Sequence, residues 1–406
     1  MKITIVAMEI PYPPIHGGRV DVWRRLKMLA ELGTEIQLIC WSGTPVDGDS
    51  LQVINQYVKD FHLIIYERGM GSYLRRAIAL LSYPLEVTSR IVRGEKWREI
   101  LTSVGSFKPD VILCDQIHSG WVASKLSDSL DIPMIVRSHD IEHLHYRYYF
   151  QCAKGTKKLV RLLSINHLKK FEKSLLKKSL AFYDISRYDL QFWQQQGFDN
   201  GYFLPPLIEF IDHHNQEDNL TDSESEKPAY DVVFLGNLNS ENNVAGVTWF
   251  VEEVWPMLKQ RSPSIKVLIS GSNPVQKIKD ICQNKPGLEL IINPPSAAKI
   301  YRSGRVLIDP VATGSGVSIK SIDMLAIGKP IVSRPKGLSG LPEAAKPYFR
   351  VASDASSYTN EILNCLAEQQ PNIPDRLLLE SMFGSPVIEN FLSQIDSLLT
   401  SNQTPK

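Results

Sequence analysis

The chain has 406 residues, enough for two domains of ordinary size, and its 43% hydrophobic and 22% charged residues are usual for a globular protein. A formal net charge of +1 leaves no overall field to draw nucleic acid or a membrane surface, so such a preference must come from a local patch. Five scattered cysteines without a CxxC pair argue against a disulfide framework or a zinc site, and no apolar run reaches the length of a membrane span. The N-terminus is too short for a signal h-region, and together these features predict a cytoplasmic protein.

In chain order, Ile3–Ala7 is an apolar run of the buried-strand kind. A proline-rich loop leads to His16-Gly17-Gly18, and apolar residues at 22, 26 and 29 predict a helix over Arg19–Leu32 that Gly33 stops. Ile36–Cys40 is the next strand. Glycines at the strand-to-helix turn of a βαβ unit sit where α/β sheets bind ligands, but GxGxxG is missing. Gly17-Gly18 therefore reads equally as a ligand-facing loop or as plain turn geometry. Phe61–Tyr66 is a strand, followed by some basic, partly helical sequence with Arg75, Arg76, Arg90, Arg93 and Arg98.

Asp110–Cys114 and Ile132–Arg137 are further strands, and the second runs into Ser138-His139-Asp140-Ile141-Glu142-His143. Titratable groups crowd the carboxyl end of a strand there, the functional edge of a parallel sheet. The plainer reading is a polar loop with Asp140 as a helix cap. Lys154–Ser179 holds eight lysines and Arg161 against Glu172 alone, with apolar residues at 168, 171 and 175. It reads either as a solvated helix face or as an anionic-membrane contact. Ala181–Ile185 and Gly201–Leu204 are the last strands of this half. His213–Pro228 is polar and acidic, without apolar period, and reads as a linker; His213-His214 has no carboxylate or cysteine at metal-ligand spacing.

The second half restarts the alternation. Val232–Leu235 is a strand, Gly236–Ser240 a loop, and Ala245–Gln260 a helix. Lys266–Ile269 and Leu288–Ile292 are strands on either side of a short helix, Val275–Cys282. Ile308–Val332 then reads as strand, glycine loop, helix and strand. Thr313-Gly314-Ser315-Gly316 precedes a helix over Ser318–Ala326, which Gly328 and Lys329-Pro330 close. A helix N-terminus carrying Lys320 in its first turn and Asp323 one turn on could hold a phosphate and a sugar hydroxyl pair together. A final helix spans Pro386–Leu399.

In order and spacing, PPIHGG, RSHDIEH, DVVFLGNLNSENNVAGVTWFVEEVWPML, GSGVSIKSIDMLAIGKPIV and MFGSPVIENFLSQI resemble the motifs of a retaining glycosyltransferase of family 4. The resemblance implies the GT-B fold, an α/β architecture of two Rossmann-like domains with parallel sheets facing across a cleft. It places an acceptor-side domain at 1–207, a linker at 208–228, a donor domain at 229–380, and at 381–406 a helix crossing back to the first domain, then a tail.

The implied reaction moves a sugar from a nucleoside-diphosphate sugar to an acceptor hydroxyl on a glycan, a lipid-linked molecule or a small molecule. No cofactor, no metal and no nucleic acid partner is implied. The catalytic candidates are His139 and Lys320. Gly17, Gly18, Gly236, Gly314, Ser315, Gly316, Lys320 and Asp323 would bind the donor, with Lys320 on the pyrophosphate and Asp323 on the ribose hydroxyls. His16, His118, Asp140 and Glu142 would stand on the acceptor side, and 154–179 would make a peripheral membrane contact.

The chain departs from the family pattern in three places. Ser315 stands where a glutamate is usual, Asp323 replaces the second glutamate, and the region of Gly236-Asn237 lacks the usual arginine and lysine. Arg302, Arg305 and Arg334 are the nearby cations that could compensate. A nucleotide-sugar epimerase on the same fold and a non-catalytic sugar-nucleotide-binding homologue are the alternatives.

Overall fold

Largely apolar runs such as Ile3–Ala7 and Val111–Cys114 have no polar face to give to water, so they suit the centre of a parallel sheet covered by helices on both sides. The computed structural model, which describes residues 1–152, 156–209, 228–314 and 316–403, builds two such sheets. They belong to separate units, Met1–Leu207 with Ser385–Lys406, and Ile208–Gly384.

The first unit holds β1 (Lys2–Ala7), β2 (Glu35–Ser42), β3 (Asp60–Ile65), β4 (Val111–Asp115), β5 (Met134–Ser138), β6 (Ala181–Asp184) and β7 (Gly201–Phe203). Its order is β3-β2-β1-β4-β5-β6-β7, and every pairing is parallel. The second unit holds β8 (Tyr230–Leu235), β9 (Val267–Gly271), β10 (Leu288–Ile292), β11 (Gly304–Asp309), β12 (Ile331–Ser333) and β13 (Phe349–Val351), in the order β10-β9-β8-β11-β12-β13, again all parallel. Each sheet reverses its winding once, between β1 and β4 and between β8 and β11. The loops leaving those strands diverge, which opens a crevice at the carboxyl ends.

Several elements differ from the sequence reading. Gly17 and Gly18 are not a loop but the first turn of the helix Gly17–Glu31, with His16 at its N-cap. The helix expected over Ala245–Gln260 is three pieces, Glu241–Trp249, a wide π turn at Phe250–Val254, and Trp255–Arg261. Pro256 accounts for the break, since it has no N–H for the carbonyl four residues back. The strand β13 and the helix Ala355–Ala367 were not anticipated. Of the expected linker, 210–227 lies outside the described residues, while Ile208 is buried in the second unit's core and donates its N–H to the Phe383 carbonyl.

The basic segment 154–179 falls on the helix Thr156–Lys178; 153–155, and the side chains of 156–164, lie outside the described residues. The apolar stripe expected on this helix turns inward: Leu168 and Leu175 are buried in the first unit's core and Phe171 packs against it. Lys178 is tied to Asp128 and Ser124. No helix among the described residues is long and apolar enough to cross a membrane.

The last helix, Ser385–Gln403, turns Ile388, Phe391 and Ile395 into the first unit's core at helical spacing. The Phe391 ring meets Tyr183 edge-on, 4.7 Å between centroids. Phe391→Ala should therefore lower stability by about 3–5 kcal/mol. Urea denaturation checks this, and an unchanged midpoint would mean that the helix does not complete this core.

Candidate functional site

In the second unit the polar groups gather at the β8/β11 crevice. β11 ends on Asp309, which is buried, and the loop that follows reaches the helix Ile319–Ile327. Gly314 (φ 143°) and Gly316 (φ 62°) take backbone angles that favour glycine. A Cβ at Gly314 would lie 3.1 Å from Asn242 Nδ2 and 3.3 Å from Lys336 Cε, so this loop lies close against two polar side chains. Ser315 lies outside the described residues. Gly328 (φ 69°) closes the helix.

Lys320 sits in the first turn, as expected. Its Nζ is 2.8 Å from Asp309 Oδ1, donates to Asn243 Oδ1 at 3.0 Å and lies 5.0 Å from the centre of the Phe234 ring. The sequence suggests Lys320 as a cation for a diphosphate; the structure also pairs it with the buried Asp309. Asp323 is half-buried one turn on. A second cation was missed: Lys336 Nζ donates to the Gly316 carbonyl at 2.9 Å. Of the three arginines considered as substitutes, only Arg334 stands at this edge, directly after β12, its guanidinium 4.4 Å from the Trp249 ring. Arg305 is at the opposite end of β11 and pairs with Asp231 at 3.0 Å, and Arg302 is also at that end.

Across the crevice, Gly236 donates its N–H to the Ser270 carbonyl, and Asn243 Nδ2 holds the Asn237 carbonyl at 2.9 Å. Ser318 Oγ and Ser321 Oγ are buried at the helix start without a hydrogen-bond partner among the described residues. Asp309, Asn242, Asn243 and Lys336 thus join the residues named from sequence. Asp309 could have been found as the acid ending the buried apolar run before the glycine loop. Lys336, well downstream of the glycine loop, carries no local signal.

In the first unit the β1/β4 crevice holds a buried charge network. Asp21 and Arg25, one turn apart on the helix Gly17–Glu31, meet at 2.7 Å, and the other Arg25 nitrogen donates to Asp115 at the end of β4. His139 Nε2 is 3.1 Å from Asp115 Oδ1 and 3.4 Å from Asp21 Oδ2. Its Nδ1 faces Gln116 Nε2 at 3.2 Å. Arg137 Nη2 lies 3.5 Å from Asp21 Oδ1, and Arg137 also donates to the Leu204 carbonyl. Gln116 is a non-glycine residue at φ 67°, and a Cβ on Gly18 would sit 3.6 Å from its amide nitrogen and from the His16 ring.

Burial alone would raise both carboxyls, but Arg25 holds Asp115 below its ordinary range, and Arg25 with Arg137 and His139 holds Asp21 well below it. Burial lowers the Arg137 guanidinium to about 10, against the pull of Asp21. Asp21, Arg25, Asp115, Gln116 and Arg137 were not among the candidates read from sequence.

The acceptor-side candidates separate. His16 pairs with Glu9 at 3.0 Å, and Glu9 also binds Arg19 at 3.0 Å. Asp140 is half-buried, and the cap expected of it is made by Glu172, which accepts from the Glu142 and His143 N–H groups at 2.8 and 3.3 Å. His118 and Glu142, expected on the acceptor side, lie inside the unit. Both are buried, 3.6 Å apart, with His118 Nε2 3.3 Å from the Tyr146 hydroxyl. Burial, then Arg90, push the His118 imidazole down to about 3, so it is neutral.

Residues 229–368 match the family model of the glycosyl transferases group 1. An uncharacterized 44.6 kDa protein in the cps region of Klebsiella pneumoniae is 27% identical over 378 residues, covering 89% of this chain and 90% of that one. Among solved structures, sucrose-phosphate synthase from Thermosynechococcus elongatus superposes with a TM-score of 0.66 at 14% identity, over 99% of this chain and 100% of that one. Anabaena Alr3699/HepE in complex with UDP-glucose gives 0.61 at 12% identity, over 99% and 100%. The fold is GT-B.

Glu142 carries a pH signature. Burial first, then Asp140 and Glu172, push its carboxyl well above the ordinary range. An acid raised in the folded state costs nothing below about pH 4, where it is protonated folded or unfolded, and costs progressively more as pH climbs toward the folded value. Glu142→Gln keeps the shape and removes the ionisation. Its stability gain over the native chain should be small at pH 4 and grow toward pH 8, read from urea midpoints at each pH. A pH-independent difference would contradict a buried neutral Glu142.

Proposed function

We propose that the protein is a retaining, metal-independent glycosyltransferase that takes its sugar from a nucleoside diphosphate. The observation that carries this is the juxtaposition, at one sheet crevice, of a glycine loop, a helix N-terminus and two lysines, Lys320 and Lys336. Departure of a nucleoside diphosphate builds negative charge on its phosphates, and fixed cations and N–H dipoles stabilise that charge with little reorganisation. Asp309 holds the Lys320 ammonium in place before the donor arrives. Asp323, one turn along, takes the ribose hydroxyls. The Anabaena neighbour was solved with UDP-glucose, which supports a uridine nucleotide as the first donor to try.

In this reading the acceptor hydroxyl attacks the anomeric carbon from the leaving-group side. The new glycosidic bond forms as the bond to the diphosphate breaks, and the hydroxyl proton passes to a diphosphate oxygen. No protein base is required. That agrees with His139, whose two ring nitrogens already face Asp115 and Gln116; it acts as a positioning group of the first unit.

The test is a calorimetric screen of nucleoside diphosphates followed by turnover of the matching nucleotide sugar. Lys320→Ala should reduce turnover by about 10²–10³-fold. Because it leaves Asp309 buried without its cation, the double variant Lys320→Met with Asp309→Asn serves as a charge-balanced control and should be equally slow. Full turnover in either folded variant would refute the assignment. Conversion of donor to an isomer without acceptor would point to an epimerase, and binding without consumption to a non-catalytic homologue.

A further inference from the structure

Outside both crevices, the first unit has a cavity of about 650 Å³ at the carboxyl ends of β2 and β3, lined by Arg68, Arg75, Arg76, Arg90, Arg93 and Lys96, with Glu67 the acid among its lining residues. Two of these cations are paired with carboxylates, Arg75 with Glu67 and Lys96 with Glu99. Arg76 and Arg93 have no carboxylate partner among the described residues. Arg90 is anchored by the Met8 and Glu86 carbonyls and lies 5.5 Å from the Tyr66 ring, which ties the cavity to the end of β1. A site this rich in guanidinium groups fits a ligand with several anionic oxygens.

One wall is the helix Met70–Ala79, and its amphipathicity is reversed. Its buried residues are the small Ser72 and Ala79. Met70 is 90% exposed, Leu81 just beyond the helix is 80% exposed, and Tyr73, Leu74 and Ile78 are exposed between them. At a rise of one turn per 3.6 residues these five form a single outward stripe. Cations beside an exposed apolar stripe match a bilayer surface, where apolar side chains enter the acyl boundary and guanidinium groups meet lipid phosphates.

We propose that this surface binds a phosphate-bearing lipid, with the head group in the arginine-lined cavity and the hydrocarbon against Met70–Leu81. If the transferase reading holds, on which this clause rests, the lipid is the acceptor or carries it. The binding itself is independent of that reading. This assigns a lipid contact to 65–96.

Flotation of the full chain tests it, with vesicles of phosphatidylcholine alone and with phosphatidylglycerol added, at low salt. The native chain should float with the anionic vesicles and not with the neutral ones. Leu74→Ser with Ile78→Ser, and separately Arg76→Gln with Arg93→Gln, should each weaken binding on the order of tenfold or more while the melting midpoint is kept. Native binding in both variants, equal binding to neutral vesicles, or no flotation would overturn the proposal. So would displacement from vesicles by micromolar inorganic pyrophosphate, which would mark a soluble anion as the occupant. Nucleoside-diphosphate binding, measured by calorimetry on the same variants, should be unchanged, so a failed donor site and a failed lipid site are told apart.

Discussion

A carboxylate at the end of a buried strand can stay ionised only if a cation is held against it. Asp115 ends β4 and Asp309 ends β11, and each is almost wholly buried. Burial by itself would raise the Asp115 carboxyl, and Arg25 overcomes it. Each meets a cation from a neighbouring helix, Arg25 for Asp115 and Lys320 for Asp309. In both units the sheet therefore fixes a negative charge at its crevice, and the helix beside it must bring a positive one to a defined place. Breaking such a pair on one side alone costs about 3–5 kcal/mol, because the partner is left charged in a poor solvent.

The two units use this constraint differently. In the first, the charges close on themselves: Asp21, Arg25, Asp115, Arg137 and His139 are all nearly buried, and the network leaves His139 oriented at both nitrogens. Such a network gives a rigid floor to the carboxyl edge. In the second, Lys320 is half-buried and keeps contact with one carboxylate and one amide, while two serine hydroxyls beside it remain without partners among the described residues. That end is the less saturated, and so the one with polar capacity to spare for a ligand.

The alternation of strands and helices was legible because central strands of a parallel sheet are apolar on both faces, as Val232–Leu235 and Val111–Cys114 show. Helix boundaries were less so where local chemistry pulls two ways. Gly17 and Gly18 read as a loop from their low helix propensity, yet a first turn needs no earlier hydrogen bonds and tolerates them. Lys320 and Asp323 were readable because they share one helix with the glycine loop. Lys336, Asn243 and the Asp21–Arg25 pair were not, since what selects them is contact across crossovers, and nothing in their immediate neighbours marks it. His118 and Glu142 show the converse: polar residues after a buried strand normally reach the edge, but here they are buried and face each other.

The same distinction explains why the missing cations near Asn237 matter less than composition suggests. Asn243, at the start of the helix after β8, bonds both the Asn237 carbonyl and Lys320. It couples the loop that lacks a cation to the helix that has one. An arginine on the Gly236 side would add charge to a crevice already holding Lys320, Lys336 and Arg334, with Asp309 the carboxylate paired among them. Lys320 serves two charges in turn, Asp309 when the crevice is empty and the diphosphate in the proposed reaction. A lysine ammonium, a compact point charge with three donors on a flexible stem, suits such a shared role.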